Sequence, residues 1–281
     1  MQRTDLEKER RASCDRRART RSAEAIALSA GLDRGEIEVL FQPLFAAADG
    51  ALLGAEALAR WRHPELIVVG GEALFEMADY AGLADALSDY VVREALAGAA
   101  KWRGPLRLSL NVTAADLAAP DFADRMAAAV VEAGFAPGLL TLEITEQALV
   151  ADLDRSAQRL RALTRLGMRV ALDDFGAGFC NFGYLKRLPL HYLKLDRSMI
   201  EGIDEDPRDL AVLRGIVSMA RALGLEVVAE GIERESQRSV AAREGCDAWQ
   251  GFLGGRPMTA VEFADLVAAQ TGANGEESTA I

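Results

Sequence analysis

The chain has 281 residues, half of them apolar and 27% charged, which is enough to bury one large core and sets aside a disordered or fibrous class. Its formal charge of −11, from 32 basic and 43 acidic residues, argues against binding of DNA or RNA duplexes but leaves room for a local anion site. Cys14, Cys180 and Cys246 are scattered without CxxC spacing, no apolar run approaches the roughly 20 residues of a membrane span, and the start lacks a signal-peptide core. Neither a disulfide framework, nor a zinc knuckle, nor a membrane span is indicated, and a cytoplasmic setting is the expectation.

Residues 1–24 are rich in arginine with interleaved acids and few large apolar side chains, so they read as a flexible arm leading into a helix at SAEAIALSAGL. A globular body is expected over 25–270, and the small, polar stretch 271–281 as a frayed tail. Short apolar runs within the body read as strands: EVLFQPLF, LLGAEALA, LRLSLNV, LLTLEI, MRVALDD, HYLKLD, LEVVAEG and a weaker one near CDAWQG. Helical patterns alternate with them, in LADALSDYVVREALAGAAKW, DFADRMAAAVVEAGF, DLDRSAQRLRALTRLG, DPRDLAVLRGIVSMARALG and ERESQRSVAAREG, several closing on glycine.

Eight strands alternating with helices predict an α/β fold, a TIM-like (β/α)8 barrel of parallel strands. One junction departs from the alternation. FQPLFAAADGALLGAEAL joins the first two strands through a short loop ending in Asp49-Gly50, which is hairpin chemistry, so the first strand should run antiparallel. A doubly wound open sheet is the alternative, but no GxGxxG follows any strand.

Acids and amides recur where these strands end: Glu56, Asn111, Glu143, Asp173, Asp174, Lys194 with Asp196, and Glu230. Carboxylates beside apolar strand residues are unfavourable unless paired, and a barrel gathers its C-terminal strand ends at one mouth. Hard oxygen ligands in that number suit magnesium or manganese. Each has a plainer reading taken singly: solvated loop acids at Glu56 and Glu143, a turn cap at Asn111, a Lys194–Asp196 ion pair on one strand face. Asp173 and Asp174 are sharper. Strand neighbours face opposite ways unless the backbone is already turning, as Gly176 and Gly178 suggest, and two carboxylates aimed at one mouth repel without cations between them.

At these residues the chain resembles the EAL-type cyclic di-GMP phosphodiesterases, named for a motif that stands here as Glu56-Ala57-Leu58. Over about residues 35–265, GAEALARWRHPE, LNVTAADL, LEITEQAL, LGMRVALDDFGAGF, YLKRLPLHYLKLDRSMI, LGLEVVAEGIE and the QGF at Gln250 follow the family's order. The resemblance implies hydrolysis of cyclic di-GMP to linear pGpG by two-metal phosphodiester cleavage. It places one Mg2+ or Mn2+ on Glu56, Asn111, Glu143 and Asp173, a second on Asp173 and Asp174 with Glu230 nearby, and implies inhibition by Ca2+. Lys194 and Glu230 are the implied catalytic residues, Glu230 as base or as metal ligand. Arg60, Asp196, Glu233 and Gln250 would meet the substrate. The only histidines, His63 and His191, do not make a histidine-built metal site.

Two stretches depart from the family pattern. The loop after Asp174 carries Ala177, Cys180 and Asn181 where the family has threonine and two serines, one of which bonds the glutamate matching Glu146; a thiol is a weak substitute. GGEALFEMADYAGL has Gly71 and Glu76 where prolines are usual. The resemblance also implies a homodimer through the loop and helix after Asp174. A nonhydrolytic cyclic di-GMP receptor or interaction module is the alternative function, and such members usually lack one or more metal ligands.

Overall fold

The computed structural model describes residues 24–63, 68–149, 152–178 and 182–277, with backbone alone at 182 and 271–277. Most of the arm and the positions Cys180 and Asn181 lie outside the described residues. Eight strands form a closed barrel in sequence order: β1 (Ile37–Ala46), β2 (Leu52–Trp61), β3 (Arg107–Asn111), β4 (Leu140–Thr145), β5 (Arg169–Phe175), β6 (Tyr192–Leu195), β7 (Glu226–Ala229) and β8 (Ala248–Gln250). All eight coincide with the runs predicted from apolar patterning.

β2 through β8 pair in parallel, and β1 closes the ring antiparallel to β8, with Leu44 opposite Gln250. β1 is therefore also antiparallel to β2, as the Asp49-Gly50 turn predicts: Gly50 donates its N–H to the Ala46 carbonyl at 3.1 Å and Ala51 bonds the Asp49 side chain at 3.0 Å. Gly54 is required where β2 meets β3, since a Cβ there would stand 1.9 Å from the Arg107 carbonyl oxygen.

The expected helices appear as Ala84–Ala99, Phe122–Glu132, Leu153–Arg165, Pro207–Ala222 and Glu235–Glu244. Asp152 and Asp206 cap two of them by accepting from the N–H groups of Arg155 and Arg208, and Gly245 ends another in the left-handed conformation. Patterning did not single out Gly71–Ala81, whose buried face is only Leu74 and Ala78, nor Ala260–Glu277, which crosses the 270/271 boundary read from composition. No helix among the described residues is long and apolar enough to cross a membrane.

The chain divides into two compact units, 1–38 with 59–91 and 39–58 with 92–281. In the smaller one, Trp61 is fully buried and its indole donates to Glu36 at 3.2 Å. The larger holds the main apolar core, in which strand residues such as Leu108, Leu110, Leu142, Val170, Leu193 and Val227 point outward beneath helix residues such as Leu96, Val130, Leu160, Leu213 and Val217. Alternation then turns the other strand face toward the barrel axis.

Candidate functional site

β2, β4, β5, β6 and β8 each bring an inward-facing polar residue to one place at the barrel mouth. Glu56, Glu143, Asp173, Lys194 and Gln250 are all buried. Lys194 Nζ lies 2.6 Å from Glu143 Oε2, 2.7 Å from Glu230 Oε1, 3.1 Å from Asp173 Oδ1 and 3.4 Å from Glu56 Oε2. Four carboxylates from four strand ends share one ammonium, which has only three N–H groups. Glu230 Oε1 has the charge contact but no hydrogen bond of acceptable geometry.

Asp173 and Asp174 reach the same mouth because β5 changes register between Leu172 and Phe175, with Asp174 in the left-handed region at φ 54°. This is the turning backbone predicted from the downstream glycines. The Asp174 N–H donates to Asp173 Oδ1 at 3.0 Å, which fixes that carboxylate. Gly176, at φ 107°, continues the turn where a Cβ would press into Met199.

Ligand atoms fall into two groups, each within 4.8 Å: Glu56, Glu143 and Asp173, and Asp173, Asp174 and Glu230. Asp173 belongs to both. Asn111 is exposed and donates Nδ2 to Glu56 Oε1 at 2.8 Å, which leaves its amide oxygen for a cation.

Without cations the electrostatics are strained. Burial opposes the charge on Glu56, but Lys194, Asn111 and Gln250 outweigh it and hold the carboxyl below its usual range. Glu143 goes the other way despite the shortest contact, pushed well up by burial and by Glu56, Asp173 and Glu230 around it. Burial, with Asp173 and Glu56, raises Glu230 to about 8, and burial with Asp173 raises Asp174 to about 6. Burial works against the Lys194 ammonium too, yet Asp173, Glu143, Glu230 and Glu56 hold its pKa well above the lysine range.

The expected substrate-contact residues make protein contacts around this centre. Asp196 lies beyond β6 and caps the turn Arg197–Ile200 by accepting from Ser198 N–H at 3.0 Å; the strand-face ion pair with Lys194 is not formed, because Lys194 is taken by the four acids. Gln250 is buried, and its Nε2 donates to Glu56 Oε2 at 2.9 Å and to Gln42 Oε1 at 3.1 Å. Glu233 is held by Arg197 at 3.0 Å, and the Arg60 guanidinium folds back on the Ala59 carbonyl at 2.7 Å. Glu146 opens the short helix Glu146–Leu149. Gln42 was missed; a lone amide inside the apolar run VLFQPLF was its signal.

A family model described as EAL domain matches residues 25–257. The chain belongs to the EAL domain family. Among curated relatives, this EAL domain is 36% identical over 242 residues to cyclic di-GMP phosphodiesterase NbdA of Pseudomonas aeruginosa, covering 83% of the chain and 30% of NbdA. It is 35% identical to cyclic di-GMP phosphodiesterase RocR of the same organism, covering 84% of the chain and 61% of RocR. The EAL domain thus spans only part of the length of these relatives. Among solved structures it is similar to the one titled "PaMucR Phosphodiesterase, c-di-GMP complex", with TM-score 0.80, 33% identity, and coverage of 86% of this chain and 99% of that one.

Proposed function

We propose that this EAL domain hydrolyses one phosphodiester bond of cyclic di-GMP to give linear pGpG, at a centre holding two divalent cations. The observation that carries the reading is the pair of carboxylate groups sharing Asp173. When ionised, Glu56, Glu143, Asp173, Asp174 and Glu230 bring five negative charges against the single positive charge of Lys194, so two divalent ions would neutralise the site. The donors are hard oxygens, which fits magnesium or manganese. Glu56, Asn111, Glu143 and Asp173 would hold one ion, and Asp173 and Asp174 the other. When bound, such a pair supplies Lewis acidity to the scissile phosphate and lowers the pKa of water.

The chain's own residues do the rest. Lys194 fixes Glu143, Glu56, Asp173 and Glu230 relative to one another from beneath. Glu230, against Lys194 Nζ at 2.7 Å and within the second carboxylate group, is assigned as base for the attacking water or as a ligand of the second ion. Gln250 and Asn111 orient the two oxygens of Glu56 through hydrogen bonds of 2.9 and 2.8 Å. Arg60, two residues past the Glu-Ala-Leu motif, is assigned to a substrate phosphate, and Asp196 and Glu233 to its guanosine moieties.

The relatives named as cyclic di-GMP phosphodiesterases support the substrate. Receptor-type members usually lack metal ligands, and every matched ligand is here. Incubation of the purified protein with cyclic di-GMP and Mg2+ or Mn2+, with chromatographic identification of product, is expected to give pGpG. Binding without turnover would instead establish the receptor.

A further inference from the structure

The interior of an eight-stranded barrel is usually filled by bulky branched side chains in layers. Here Leu44 stands with the smaller Ser109, Thr141, Ala171, Val228 and Ala248 beneath the carboxylates, and a cavity lies among them. At its inner end stand Glu143, Lys194 and Gln250, and at its outer end, where β3, β6, β7 and β8 begin, stand Arg107, Tyr192, Glu226 and Asp247. The side chains of Arg107 and Glu226 are 28% and 46% exposed, so this end meets solvent at the face opposite the carboxylate mouth.

Two hydroxyl side chains face the cavity. Ser109 and Thr141 are buried, at 7% and 4% exposure, and both line the cavity. Water is held in a cavity that offers it two to four polar groups, and Ser109, Thr141, Glu143, Lys194, Gln250 and the Tyr192 hydroxyl supply them.

We propose that the barrel axis is a water-binding site, in which internal water bridges Ser109 and Thr141 to the inner side of the Glu143–Lys194 pair. The small side chains of Ala171 and Ala248 are what keep it open. The proposed site lies beneath the candidate metal centre and touches it at Glu143 and Lys194, and it stands whether or not cyclic di-GMP is the substrate.

The test is water-to-methyl magnetisation transfer by NMR on the full-length protein, deuterated and labelled at alanine, threonine and valine methyls. Cross-peaks from water to Thr141, Ala171 and Val228 are expected in the wild type, and their loss at Thr141 and Val228 is expected in Ala171→Leu, which fills the axis but keeps both hydroxyls. Absence of cross-peaks in the wild type would overturn the proposal. So would their persistence in Ala171→Leu, since they would then come from the Ser109 and Thr141 hydroxyl protons. Ala248→Val fills the same layer with a smaller addition and replaces Ala171→Leu if that variant does not fold.

Discussion

Lys194 Nζ sits 2.6 Å from Glu143 Oε2, with both side chains nearly inaccessible, at the centre of an otherwise anionic mouth. Removing one partner of a buried ion pair costs on the order of 3–5 kcal/mol, because the other charge is left uncompensated. Lys194→Met is therefore expected to lower the melting temperature in EDTA by well over 5 °C at pH 8, with Mg2+ restoring more of it than in the wild type. An unchanged melting temperature in EDTA would mean that the acids do not depend on this ammonium.

Asp173 belongs to both carboxylate groups, whereas Glu56 belongs to one. Asp173→Asn and Glu56→Ala are both expected to abolish metal-dependent turnover of cyclic di-GMP, and calorimetry with Mn2+ should show Asp173→Asn weakening both binding events. Undiminished turnover in Asp173→Asn sinks the shared-ligand assignment.

The raised carboxyls set a pH dependence. Asp174 and Glu230 titrate at about 6 and about 8 in the folded chain, against 3.8 and 4.5 as ordinary values. Over that window the metal-free folded protein retains protons that the unfolded chain has released, so its stability falls as pH rises through about 6 and then about 8. Divalent ions displace those protons. Mg2+ binding should therefore release protons near pH 7 and tighten toward pH 8, which calorimetry in buffers of different ionisation enthalpy measures. Binding with no proton release would contradict the raised values.

Gln250 donates to Glu56 at 2.9 Å, which separates a positioning role from direct substrate contact. Gln250→Leu is expected to weaken Mn2+ binding by about 10-fold, the scale for losing a partner of a metal ligand. If metal affinity is untouched and only KM for cyclic di-GMP rises, the amide meets substrate instead.

Calcium takes six to eight oxygens at longer distances than magnesium tolerates. At a site tuned for the smaller ions it should bind and inhibit, so an assay with Ca2+ replacing Mg2+ is expected to show little or no product. Full activity in calcium alone would refute that tuning.

Much of this protein is legible along the chain. Short apolar runs marked all eight strands, Asp49-Gly50 marked the reversed β1, and the acids after those runs marked the site, because apolar patterning and turn chemistry act over a few residues. Helix Gly71–Ala81 was not singled out, although Leu74 and Ala78 stand one turn apart on its buried face.

Tertiary structure decided what the same residues touch. Lys194 pairs with Glu56, 138 positions away, and not with Asp196, two positions away, because closing the barrel brings strand ends together while Asp196 already caps the next turn. The same closure turned Gln250 onto Glu56 and left Ser109 and Thr141 facing an axial cavity. Neither outcome is a local property of the sequence, since each depends on how far opposite walls of the barrel stand apart and on which side chains fill the space between them.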